Sequence, residues 1–225
     1  MAGPYDAGML RQTFAERKRL RELPRDELRA GQLTRLNGLL AAILPHNGFY
    51  AKKLGGSDLP LRSLEDFSSL PFTFKEELVT APVAREFCAN LTWPLSQYVR
   101  YHQTSGTRGK PMAILDTAED WNWWMDIWQF NFDAAEMMPD DRVVMAFSFG
   151  PFIGFWSAFE AAVARGCLVI PTGGMSTLAR LGMIRSCRAT VLLCTPSYAL
   201  RMAEVAAENN IDIAALQVRR IIVAG

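Results

Sequence analysis

Residues 142–172 read RVVMAFSFGPFIGFWSAFEAAVARGCLVIPT, and the way this run divides decides the fold. "RVVMAF" is short and apolar without alternation, which suits a strand buried on both faces. "GFWSAFEAAVARG" reads as a helix and "CLVIPT" as a second strand. The same unit repeats downstream. "TLARLGMIRSC" is a helix, "ATVLLC" a strand, "PSYALRMAEVAAENN" a helix and "VRRIIVAG" a strand. Strands and helices alternate with short connections, so the expected fold class is α/β with a doubly wound, mostly parallel sheet. Ligands of such sheets sit beyond the carboxyl ends of the strands.

Upstream the period changes. Thr117 to Met138 reads as one long helix. At ~100° per residue, Trp121, Trp124, Met125, Trp128, Phe132 and Ala135 share one face. Trp123, Ile127, Phe130 and Ala134 occupy much of the opposite side, and Asn122, Asp126, Gln129, Asp133 and Glu136 form a polar strip between them. A helix lying on a sheet needs one apolar face. The second is covered either by the rest of the chain or by a second copy, and a homodimer is the expected occupant. Further upstream, "QYVRYH" and "PMAILD" are short strands on either side of a polar loop. Residues 1–97 are expected to form a helical leader packed on the sheet, and residues 98–225 an α/β nucleotide-binding portion. In the leader, Pro24 is placed to open a helix. Leu28, Leu33, Leu36, Leu39, Leu40 and Ile43 make its apolar stripe. Two short helical turns follow, with Ser63 as a cap.

Composition narrows the function classes. The chain has 225 residues, half of them hydrophobic, and a formal net charge of +1. That balance gives no electrostatic case for nucleic acid or an anionic membrane surface. The N-terminus lacks the apolar region of a signal peptide, and no apolar stretch is long enough to span a bilayer. Cys88, Cys167, Cys187 and Cys194 are scattered without metal-type spacing, and the two histidines are His46 and His102. The expectation is reduced cysteines, no metal site and a cytoplasmic location.

The polar loop is "TSGTRGK", residues 104–110. A Walker loop needs Gly, four residues and then Gly-Lys-Ser/Thr opening a helix. Here Gly106 and Gly109 are separated by two residues, and Pro111 and a strand follow Lys110. No helix dipole contributes. One reading is an anion-binding concavity: glycines let the backbone fold its amides inward, hydroxyls add donors and Lys110 adds a mobile charge. The other reading is a polar hairpin turn.

"HQTSGTRGKP" resembles the phosphate loop of the adenylate-forming superfamily, which includes acyl-CoA synthetases, luciferases and peptide-synthetase adenylation domains. "FSFGPFIGFW", "VIPTGGMSTLARLGMIRSCRATVLLCTPSYALRMAE" and "IIVAG" extend the likeness to one branch, the phenylacetate-CoA ligases. The resemblance implies a two-step reaction. A carboxylate attacks the α-phosphate of ATP, with Mg²⁺, to give an acyl-adenylate and pyrophosphate. The thiol of coenzyme A then attacks the acyl carbon and displaces AMP. It further implies that Thr104, Ser105, Gly106, Thr107, Gly109 and Lys110 hold the departing phosphates, with Gly225 at the edge of the nucleotide loop. Arg108 stands where the family has a small residue, and it either adds charge there or points to solvent. A flat aryl acid would lie against Phe149 and Phe152, in a segment that includes Phe147, Gly150 and Ile153. Aromatics after a buried strand are equally a core. His102 either lines the site or pairs with backbone.

The family's adenine loop, its acidic residues for metal and ribose, and the C-terminal domain with its catalytic lysine would lie beyond Gly225. The chain is therefore expected to be an N-terminal fragment with no catalytic residue of its own. The alternative is a shortened, non-catalytic nucleotide-binding or interaction module.

Overall fold

The computed structural model describes residues 10–79, 87–106 and 109–224. They gather into two compact units: residues 13–119, and residues 120–224 with 10–12.

The first unit opens with α1 (Phe14–Arg21). The Thr13 hydroxyl accepts from the Glu16 N–H while the Glu16 carboxylate accepts from the Thr13 N–H, a reciprocal cap that satisfies two donors at once. Pro24 stands at the N-cap of α2 (Arg25–Ile43), where its missing N–H interrupts no helical bond. From the apolar stripe of α2, Leu33, Leu36 and Leu40 pack with Leu54 of α3 (Gly48–Leu54) and with Leu61. Leu28 and Leu39 belong to the expected stripe but lie exposed at its margin. The two expected short turns are a 3₁₀ turn, Glu65–Ser69, and α4 (Lys75–Val79). Ser63 and Asp66 bond reciprocally ahead of the first. The unit ends in a hairpin of β1 (Tyr98–Gln103) and β2 (Ala113–Thr117), antiparallel, with His102 opposite Ile114. The strands flanking the polar loop thus pair with each other and make a separate two-stranded sheet.

α5 (Ala118–Ala134) carries the chain into the second unit. There β3 (Arg142–Met145), α6 (Ile153–Ala164), β4 (Leu168–Pro171), α7 (Thr177–Ser186), β5 (Val191–Cys194), α8 (Pro196–Glu208) and β6 (Arg220–Val223) alternate as expected. The strands form one parallel sheet in the order β4-β3-β5-β6. Because successive side chains point to opposite faces, Val143, Met145, Val191 and Leu193 meet α5 and α6 through Trp121, Met125, Phe132, Ala158 and Ala161. Val144, Ile170, Leu192 and Cys194 meet α7 and α8 through Leu181, Ile184, Met202 and Val205. Both faces are covered, which is why these strands read as continuous apolar runs.

The middle of the polar strip of α5 is buried, while Asn122 is partly covered and Glu136, beyond the helix, is exposed. Asp126, Gln129 and Asp133 all lie in the core layer. Burying them is tolerable because each is bonded. Arg165 pairs with Asp133 at 2.9 Å and donates to Gln129 Oε1 at 3.1 Å. Gln129 Nε2 donates to the Ala161 carbonyl at 3.0 Å, and Asp126 Oδ1 accepts from the Arg11 N–H at 2.9 Å. On the far side, Ile127 and Phe130 are partly covered and Ala134 is exposed. Trp123 is 50% exposed, so the second apolar face of α5 is not closed off by the described chain.

Candidate functional site

The polar loop joins β1 to β2 in the first unit, and its described residues are held by three backbone contacts. The Thr104 N–H donates to the Met112 carbonyl at 3.1 Å, and the Met112 N–H donates back to Thr104 Oγ1 at 3.0 Å. The Gly109 N–H donates to the Gly106 carbonyl at 3.1 Å. Gly106 has φ +71°, and a Cβ there would stand 2.9 Å from Cγ of Pro111. Glycine is therefore required twice at this position, by backbone conformation and by space. Ser105 and Lys110 are exposed, and Lys110 forms no ion pair with the described residues. Among the described residues, neither the Lys110 ammonium nor the Ser105 hydroxyl at this turn has a partner. The Thr104 oxygen, by contrast, already accepts a backbone bond. Thr107, Arg108 and Gly225 lie outside the described residues.

His102 is buried just below the loop, and its Nδ1 lies 3.2 Å from Oδ2 of the buried Asp116. Nothing in the sequence pointed to this carboxylate partner. The diagonal cross-strand placement that joins them becomes visible only with the register.

In the second unit, the connections after β3 and β4 frame a cleft of about 640 Å³ at the carboxyl ends of the strands. Its lining is Ser148, Phe149, Trp156, Phe159, Pro171, Gly173 and Gly174. Phe149 packs on Trp156 and edge-on against Phe159, with centroids 4.9 and 5.7 Å apart. The Trp156 Nε1–H donates to the Gly150 carbonyl at 2.9 Å and ties α6 to the loop it follows. Gly173 lets its backbone approach the Phe149 ring, since a Cβ there would lie 3.1 Å from Cδ2.

The other expected pocket residues are placed differently. Phe147 is buried, stacked on Phe155 at 4.4 Å within the core. The space left by Gly150 is filled by the ring of Phe152. Phe152 itself stands edge-on to Phe155, and Ile153 opens α6 and packs on the core. Trp156 and the Gly173–Gly174 pair lie in segments that carry the family resemblance, but nothing in those segments, or around Phe159, marked them as lining residues. Among the described residues, no three His, Cys, Asp or Glu side chains stand together as metal ligands.

No family model matches the chain. It is 32% identical over 197 residues to the phenylacetate–coenzyme A ligase of Pseudomonas putida, covering 86% of this chain and 44% of that protein. The Thermus thermophilus enzyme of the same name is 33% identical over 188 residues, 82% and 41% of the two chains. That of Escherichia coli is 31% identical over 182 residues, 80% and 41%. The chain is a relative of the phenylacetate–coenzyme A ligases. It spans less than half the length of these ligases. The crystal structure of 2-hydroxyisobutyryl-CoA ligase in complex with 2-HIB-AMP and CoA superposes with a TM-score of 0.86 over 95% of this chain and 47% of that one. At 24% identity this likeness establishes the fold alone. No described helix is long and apolar enough to cross a membrane.

Proposed function

We propose that this chain is the acid- and phosphate-binding portion of a cytoplasmic, AMP-forming ligase that joins an aryl carboxylic acid of the phenylacetate type to coenzyme A. The observation that carries the reading is the pinned loop with a conformationally required Gly106 and an exposed Lys110 that pairs with no described residue, in a chain about one-third identical to phenylacetate–coenzyme A ligases. In the first step the carboxylate oxygen bonds to the α-phosphorus of ATP and the bond to pyrophosphate breaks. Lys110, Ser105 and the turn amides neutralise charge on the departing phosphates, which is the main service a protein renders in phosphoryl chemistry. Thr107, Arg108 and Gly225 are proposed to complete that group. In the second step the thiol sulfur of coenzyme A bonds to the acyl carbon and AMP leaves. Magnesium would accompany the phosphates. The described residues offer no carboxylate cluster for it, and no step is assigned to it.

The acid is assigned to the aromatic cleft. Phe149, Trp156 and Phe159 present ring faces and edges suited to a planar aryl group, and Ser148 gives the rim a polar group. Phe147, Gly150, Phe152 and Ile153 support that wall from behind. The outer face of α5, with its half-exposed Trp123, is proposed to seat a second copy of the chain.

Titration of the 225-residue chain with inorganic pyrophosphate, and separately with phenylacetate, tests the reading. Both should bind, and Lys110→Ala should weaken pyrophosphate on the order of tenfold to a hundredfold, since a charge-assisted bond contributes about 1.5–3 kcal/mol. The chain alone should release no AMP from ATP, phenylacetate and coenzyme A. Failure to bind either ligand would return the loop to a hairpin turn and the cleft to surface relief.

A further inference from the structure

Arg180 lies on α7, on the opposite face of the sheet from α6, and is only 6% exposed. It makes no ion pair with any described residue. Its Nε–H donates to the Thr172 carbonyl at 3.0 Å, and its Nη2–H donates to the Phe147 carbonyl at 3.2 Å. Its guanidinium stacks 5.0 Å over the Tyr198 ring, and the Tyr198 hydroxyl lies 3.0 Å from the Thr177 hydroxyl at the start of α7. A buried cation without a counter-charge is costly. Leucine or methionine at this place in the apolar layer of α7 would pack without that cost. The guanidinium offers something neither can: a rigid planar fork that spans two carbonyls at a fixed separation.

Those two carbonyls are not arbitrary. Phe147 precedes Ser148 and Phe149, which line the aromatic cleft, and Thr172 precedes Gly173 and Gly174, which line it from the next connection, with the Gly173 backbone against the Phe149 ring. Thr172 is itself fully buried and anchored to the end of β3, with its N–H and its hydroxyl both donating to the Met145 carbonyl. We infer that Arg180 is a positioning residue that fixes the two loops of the cleft against each other from behind the sheet, and so decides which aryl carboxylates fit. The inference rests on the proposed assignment of the cleft to the acid. Arg180 touches no substrate. It acts through the two loop backbones, with Tyr198 holding its plane.

Three variants of the 225-residue chain test this. Arg180→Met keeps the volume and loses both bonds. Arg180→Lys keeps the charge but has one nitrogen in place of the fork. Leu181→Ala, in the same helix and equally buried, is a matched packing defect. Hydrogen exchange is read over residues 147–152 and 172–175, and dissociation constants are read for phenylacetate and 2-naphthylacetate by tryptophan fluorescence. Arg180→Met should raise exchange in both loops together and change the ratio of the two constants by roughly fivefold or more, Arg180→Lys should fall between, and Leu181→Ala should lower Tm with the ratio unchanged. If Arg180→Met lowers Tm but leaves loop exchange and the ratio as Leu181→Ala does, Arg180 is structural and the inference is overturned. If neither acid binds the unaltered chain while the two loops still loosen together, the clamp stands and the assignment of the cleft to an aryl acid is what fails.

Discussion

Replacing Gly106 by alanine separates a built anion loop from a simple turn. The backbone at Gly106 sits at φ +71°, and holding an L-residue there costs about 1–3 kcal/mol. The added methyl would also meet Cγ and Cδ of Pro111 at 2.9 and 3.0 Å and the Gly109 carbonyl at 3.1 Å. All three distances are well inside the ~3.5–4.0 Å optimum for such contacts. The proline ring has no rotamer to move into, so the loop must shift. The Gly109 to Gly106 bond and the placement of Lys110 depend on this turn, whereas the β1–β2 ladder does not. The expected outcome is a selective loss. Pyrophosphate affinity, measured by calorimetry on the 225-residue chain, should fall by at least about tenfold, the equivalent of ~1.4 kcal/mol, while Tm changes by only a few degrees. Gly31→Ala, in α2 with nothing within 4 Å of the new methyl, is the control and should leave pyrophosphate affinity alone. If Gly106→Ala binds pyrophosphate as tightly as the parent chain, the loop is not a phosphate site.

Other outcomes follow from buried charge. Arg165→Met removes the ion pair to the carboxylate of Asp133, whose side chain is fully buried, and should cost about 3–5 kcal/mol in urea unfolding. A loss under 1 kcal/mol would mean that Asp133 finds another partner. Asp141 is buried, which alone would raise its pKa. Bonds from the Met138 N–H, the Thr190 hydroxyl and Arg219 outweigh that and hold it below the usual aspartate value. Its contribution to stability is therefore complete above about pH 4 and lost as pH falls through its lower folded value. Asp141→Asn should flatten that acid limb, and an unchanged limb would exclude Asp141 as its source. Cys88, Cys167 and Cys194 are buried, and burial pushes the Cys167 thiol to about 11. Cys187 should accordingly react with a disulfide reagent well ahead of the others, a ranking that peptide mapping after brief labelling would confirm or reverse. Sedimentation should show a concentration-dependent dimer that Trp123→Glu abolishes, and a monomer at high concentration would mean that the outer face of α5 seats no second copy.

The sheet was legible because burial on two faces leaves a simple signature. "VVMAF" and "VLLC" could be read as central strands without any knowledge of their neighbours, and short connections implied the parallel arrangement. The ends of the helices were less legible. α5, α6, α7 and α8 close alike, with paired backbone bonds around a left-handed residue: Glu136, Gly166, Arg188 and Asn210. Gly166 and Asn210 are the residue types expected there. Glu136 and Arg188 are not, which is why the long helix was read through to Met138 although it stops at Ala134. Tertiary packing of Met137 into the core, fully buried after the turn, sets that stop. The polar strip of α5 misled for a related reason. Asp133 and Gln129 face inward because Arg165, at the end of α6, arrives to meet them, and a single-helix pattern carries no information about a partner one element away.

The site divided along the same line between local and distant causes. Gly106, Gly109 and Lys110 could be read directly, because conformational freedom and charge are properties of the residues themselves. The cleft could not. Phe147 and Phe149 are two positions apart in one aromatic run, yet the first is core and the second is wall. What separates them is Gly173, 24 residues beyond Phe149, whose missing side chain leaves the Phe149 ring a backbone to lie against. Trp156 and Phe159 enter the cleft through the period of α6. Arg180 reaches the cleft walls only through carbonyls, the one group every residue carries, so no choice of side chain at Phe147 or Thr172 advertises the contact. A glycine turn with an exposed lysine can therefore be read from its own residues, while a pocket assembled at the ends of parallel strands is defined by which strands are neighbours. For this chain the order β4-β3-β5-β6 is what turns three separate segments into one aromatic cleft with a cation fixed behind it.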